Sequence, residues 1–172
     1  MSISRREDAL EVTAALVLAA LVVLAHGAQA FSILALYVAA VSPALCRSDL
    51  IERRLPNRMV LPGYFVAGSA SIVGWLGGEP LPAAAVIAAL CYFGFLVVLA
   101  ALGGMGMGDV KLAGVLGFAA GALGPGIAIL SPVIAFAVGA LAALVTVARR
   151  MGRSIPFGPC MLAGFWSAAL FF

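Results

Sequence analysis

Two aspartates carry the chemistry that this sequence can offer. Asp109 lies in the run Gly103-Gly104-Met105-Gly106-Met107-Gly108-Asp109-Val110-Lys111-Leu112, a carboxylate set among apolar residues and glycine. Glycine costs a helix about 1 kcal/mol against alanine, so four within six positions ask for a reason. Small residues let a neighbouring backbone approach closely, and they bare main-chain groups that can pair with an extended peptide. A carboxylate beside such a surface is placed for peptide hydrolysis. One is not enough, because aspartyl proteolysis takes two carboxyl groups that share a proton. One carboxylate activates water and the other carboxyl donates to the scissile carbonyl, as happens when like charges crowd together. Asp49 is the natural second member. It is read as beginning the loop Asp49-Leu50-Ile51-Glu52-Arg53-Arg54-Leu55-Pro56-Asn57.

Plainer accounts exist for each residue. Asp109 could pair with Lys111 or an arginine at headgroup level, and Asp49 could be an interfacial group paired with Arg53. Glu52, three residues from Asp49, shares a face with it if the segment is helical. It reads as a salt-bridge partner and as the reserve second carboxylate. Lys111 could tune Asp109 or hold a lipid phosphate. Arg53, Arg54 and Arg58 read as membrane anchors, and Pro56-Asn57 as the turn that starts the next helix. Cys46, Cys91 and Cys160 are far apart with no CxxC pair, which suggests neither zinc nor disulfide.

The elements that must position these groups are membrane helices. Of 172 residues, 65% are hydrophobic and 10% charged, and mean hydropathy is +1.19. A soluble domain of this length cannot bury so much apolar surface. Positions 12–46 and 112–148 carry no Asp, Glu, Lys or Arg, and 59–108 carry only Glu79. A crossing helix needs about 20 apolar residues, and the runs are continuous rather than alternating. The fold class is therefore all-α, a polytopic transmembrane bundle of about six to seven spans in a single integral-membrane domain over 1–172. Helical segments are expected at 9–26, 28–46, 59–76, 83–103, 104–123, 126–148 and 155–172. The first, despite Arg5 and Arg6 before an apolar run, reads as a retained span, since Asp8 and Glu11 interrupt a signal-peptide pattern.

This division puts all ten basic residues on one side: Arg5, Arg6, Arg47, Arg53, Arg54, Arg58, Lys111, Arg149, Arg150 and Arg153. Positive loops stay in the cytoplasm, so the N-terminus is expected inside and the C-terminus outside. The charge of +3 then reflects topology and does not point to nucleic acid. Two crossings between Lys111 and Arg149 are tight unless the fifth helix begins near Gly104, with Asp109 and Lys111 inside its cytoplasmic end. Ionisable groups at that depth usually face a water-filled cavity or a partner.

Three blocks in order resemble the type IV prepilin peptidases, aspartyl proteases of the GxGD kind. They are Asp49 followed by Arg53-Arg54-Leu55-Pro56-Asn57, then Gly106-Met107-Gly108-Asp109-Val110-Lys111-Leu112, then Ile155-Pro156-Phe157-Gly158-Pro159. The likeness runs from about Asp49 to the C-terminus. It implies that Asp49 and Asp109 are the catalytic pair, with Gly106, Gly108 and Lys111 supporting them. It also implies that the substrate is a prepilin or pseudopilin, cut where a short leader meets its apolar helix at the cytoplasmic face of the bacterial inner membrane. Membrane lipid is the other expected partner, and no metal or organic cofactor is needed. Longer members of that family carry a zinc-holding cytoplasmic domain between the first two spans and methylate the new N-terminus. Here only Gly27 and a few small residues stand between the first two segments, so methyltransferase activity is not expected. Presenilin-type proteases share GxGD, but Ser42-Pro43-Ala44-Leu45 precedes both aspartates here instead of following them. From other classes, a small membrane transporter or a non-catalytic pilus assembly factor would also accommodate these residues.

Overall fold

A computed structural model describes residues 3–27, 32–149 and 155–172, with side chains of the first helix from Asp8 onward. Positions 28–31, where the second segment was expected to begin, lie outside the described residues, as do Arg150, Arg153 and the side chains of Arg5 and Arg6. Among the described residues there are seven helices and no strand: α1 Ile3–His26, α2 Ser32–Glu52, α3 Asn57–Leu76, α4 Ala83–Ala101, α5 Met107–Leu123, α6 Pro125–Ala148 and α7 Gly158–Phe171. Five of them, α1 to α4 and α6, are long and apolar enough to cross a membrane. Large apolar side chains such as Leu16, Phe65, Ile87 and Leu141 lie exposed on their outer faces. So much apolar surface turned outward belongs in lipid, and the protein is a polytopic helical membrane protein.

Two helices are shorter, and they form the middle of the bundle. At 1.5 Å rise per residue, α5 and α7 extend about 26 and 21 Å. Both are buried along much of their length, from Val110 to Gly121 in α5 and from Cys160 to Ala169 in α7. Glycine is what lets neighbours close on them. A Cβ at Gly121 would fall 2.6 Å from Ala85 Cα, and one at Gly117 would fall 2.9 Å from Ala89 Cα, so α4 and α5 pack backbone to backbone. A Cβ at Gly164 would fall 2.6 Å from the Ala135 nitrogen, which fixes α7 against α6 in the same way. Without a hydrophobic drive between helices in lipid, such close approach is a main source of packing energy.

The helix ends correct two boundaries. Helix α2 does not stop at Cys46. It runs through Asp49 to Glu52 because the buried face that includes Leu45 continues to Asp49, one turn on. Asp49 therefore stands in the last turn of a helix and does not begin a loop. The helix closes when the Arg53 N–H donates to the Asp49 carbonyl at 3.1 Å with Arg53 at φ +52. This is a left-handed cap of the kind glycine usually supplies, and Arg53 is the single non-glycine residue with positive φ among the described residues. Likewise α5 does not begin near Gly104. Gly103, at φ +78, ends α4 in a Schellman motif in which Gly103 N–H donates to Ala100 O and Gly104 N–H to Leu99 O. Helix α5 then starts at Met107.

Arg47, Arg53, Arg54, Arg58, Lys111 and Arg149 all lie at one end of the bundle, where α2, α4 and α6 finish and α3, α5 and α7 begin. An Arg47–Glu11 ion pair of 2.9 Å holds α1 to α2 near this end. At the opposite end His26 meets the Ala169 carbonyl at 2.7 Å.

Candidate active site

Asp109 is the third residue of α5, in the turn where backbone N–H groups are unsatisfied and the helix dipole favours negative charge. Its carboxylate lies close to Gly106, the residue that caps α5. A Cβ at Gly106 would fall 3.3 Å from Asp109 Oδ2, so glycine there leaves the carboxylate its room.

Asp49 is treated in a parallel way by a different helix. Its side chain, buried at 5% exposure, accepts a 2.9 Å hydrogen bond from the N–H of Gly158, the first residue of α7. Pro159 follows and has no N–H of its own, which leaves Gly158 as the donor at that position. A Cβ at Gly158 would come 2.8 Å from Asp49 Oδ2 and 3.2 Å from Leu55 Cδ2. Two helix N-termini thus converge, and each holds one carboxylate.

The structure brings Asp49 and Asp109 together. Both line a cavity of about 630 Å³ and a second of about 270 Å³. The larger cavity is mostly apolar, walled by Met105, Phe136, Phe157 and the small face Gly139, Ala140 and Ala143 of α6. The Phe136 and Phe157 rings meet at 5.1 Å. The smaller is lined by Arg53, Arg54, Leu55, Met107 and Gly108. The carboxylates therefore sit where an apolar hollow meets a basic one. Two carboxyl groups in such a place can exchange a proton with water and with a bound amide, which is the minimum for general acid–base hydrolysis.

The remaining candidates divide. Gly106 and Gly108 line the smaller cavity, and Gly108 lies under the loop, where a Cβ would fall 3.0 Å from Leu55 Cβ. Lys111 lines neither cavity; its ammonium donates to Asn57 Oδ1 at 3.0 Å. Glu52 is exposed and faces a separate hollow with Glu11, Arg47 and Arg58. Sequence reasoning missed the Gly158 N–H as a partner of Asp49, although the block containing it had been singled out. It also missed the α6 wall, for which the only signal was small residues within an apolar run.

The sequence profile of the type IV leader peptidase family matches residues 36–147, a stretch that contains both aspartates and the Gly106–Leu112 run. No curated protein and no solved structure matches the chain. The profile covers well over half of the sequence, and the chain belongs to the type IV leader peptidase family.

Proposed function

We propose that this peptidase is an aspartic endopeptidase that removes the leader of a type IV prepilin or pseudopilin, with Asp49 and Asp109 as its acid–base pair. The observation that carries this reading is that both carboxylates line the same two cavities, each at the N-terminus of a helix. One carboxylate removes a proton from water, whose oxygen attacks the scissile carbonyl carbon. The other carboxyl supplies its proton as the C–N bond breaks and the amine leaves. The products are the leader with a new carboxylate and the mature chain with a new amine. A coupled pair of this kind titrates as a unit.

The depth of the pair suits a substrate whose polar leader ends where its membrane helix begins. The site lies at the arginine-rich end of the bundle, and basic loops stay in the cytoplasm. We therefore place the reaction at the cytoplasmic face of the bacterial inner membrane, with the N-terminus inside. Cleavage proceeds without methyl transfer. The test is a cell-free assay on a prepilin with Asp49→Asn and Asp109→Asn. Each change abolishes cleavage while the protein is still inserted and folded, and processing retained by either variant refutes the pair.

A further inference from the structure

Lys111 stands two residues from Asp109, yet it does not face the carboxylates. On a helix, residues i and i+2 point to different sides, and Lys111 opens onto a hollow with Leu61, Tyr64, Leu90 and Phe93. What it holds is α3. Its ammonium donates to Asn57 Oδ1 at 3.0 Å, and its backbone carbonyl accepts from the Tyr64 hydroxyl at 2.7 Å. Asn57 is the first residue of α3 and ends the loop that leaves α2 just after Asp49. That loop and the first turn of α3 are tied to α2 as well. The Ser48 hydroxyl donates to the Arg54 carbonyl at 2.9 Å, and the Tyr37 hydroxyl to the Met59 carbonyl at 2.7 Å. One bracket therefore joins the helix of Asp49 to the helix of Asp109, and the Lys111–Asn57 bond closes it.

We infer that Lys111 is a positioning residue, which sets the separation of Asp49 and Asp109 by tethering α5 to Asn57 and not by placing a charge on the pair. This inference rests on the proposal that the two aspartates do the chemistry. A bond between an ammonium and an amide oxygen is charge-assisted and stronger than a neutral one. Losing it lets the loop drift from α5. A misplacement of about 1 Å in a catalytic arrangement costs roughly 100-fold in rate, whereas binding in the two cavities does not use Lys111.

The test uses the full chain reconstituted in lipid, with a prepilin as substrate. Lys111→Met and Asn57→Ala each lower kcat by roughly ten- to hundred-fold and leave KM within about twofold. The double variant is no worse than the worse single one. Lys111→Arg and Asn57→Asp, which keep a charge-assisted bond, recover most of the rate. The pH–rate profile of Lys111→Met keeps its shape and midpoints. Amide hydrogen exchange over 53–58 accelerates in Lys111→Met and Asn57→Ala but not in Asp109→Asn. Additive losses, a displaced pH profile, full activity in Lys111→Met or unchanged exchange over 53–58 would each overturn the tether. Failure of the catalytic pair would look different: Asp49→Asn and Asp109→Asn would still cleave, while the exchange measurement would stand by itself.

Discussion

The backbone N–H of Gly158 donates to Asp49 Oδ2 at 2.9 Å across 109 residues of chain. This bond joins the start of α7 to the last turn of α2, and a Cβ at Gly158 would lie 2.8 Å from the same oxygen. Gly158→Ala therefore displaces the Asp49 carboxylate and presses on Leu55 besides. Cleavage should fall roughly ten- to hundred-fold, while the elution profile of the purified protein stays as it is. Gly106→Ala, with 3.3 Å to Asp109 Oδ2, should cost less. Equal activity of Gly158→Ala and the native chain in the prepilin assay would count against any role for this contact.

Glu52 provides the control among the acidic residues. It lies one turn from Asp49 but faces a hollow with Arg47 and Arg58. Glu52→Gln should leave kcat/KM within about twofold of native. Loss of cleavage in Glu52→Gln together with retained cleavage in Asp49→Asn would make Glu52 the second carboxylate in place of Asp49.

Packing against α5 should be intolerant of volume. A Cβ at Gly121 would sit 2.9 Å from the Ala84 carbonyl as well as close to Ala85. Gly121→Val should destabilise by about 1–3 kcal/mol or prevent folding altogether. Nothing lies within 4 Å of a Cβ at Gly94 in α4, so Gly94→Ala should be neutral or slightly stabilising. Thermal unfolding in detergent, followed by size exclusion, ranks the two.

Arg53 bears a backbone conformation that costs most L-residues about 1–2 kcal/mol. Replacing it by glycine and by valine removes the guanidinium in both cases and isolates the backbone effect. Arg53→Gly should melt above Arg53→Val, by a margin equivalent to about 1–2 kcal/mol. Identical melting temperatures would mean that the loop relaxes out of the left-handed conformation at no cost.

Orientation is open to cysteine labelling. Leu81, between α3 and α4, and Glu52, at the end of α2, are both exposed and lie at opposite ends of the bundle. With native cysteines as background, Leu81→Cys should react with an impermeant maleimide in intact spheroplasts, and Glu52→Cys only after permeabilisation. The reverse pattern would invert the proposed topology.

Much of this architecture could be read in advance because its physics is local. Uninterrupted apolar stretches mark helices, and the breaks expected between 76 and 83 and between 123 and 126 are kept in the structure. What escaped depends on distant partners. The polar stretch from Arg47 to Arg58 looks like a loop because charge dominates it, yet α2 continues through Asp49, whose carboxylate meets a backbone group from α7. The end of α2 was invisible because a left-handed cap normally advertises itself with glycine, and here the residue is Arg53. Gly103-Gly104 looked like a loose helix start but ends the helix before it. Lys111 could not be assigned from its neighbours, since its partner is 54 residues away.

Because the donor to Asp49 belongs to the main chain, only proline at position 158 would delete the donor itself; any other side chain there can act only by pushing the carboxylate away. Drift at this position is thus filtered by bulk and not by polarity. A survey of substitutions would find a size limit there, with no polar residue to flag as the partner.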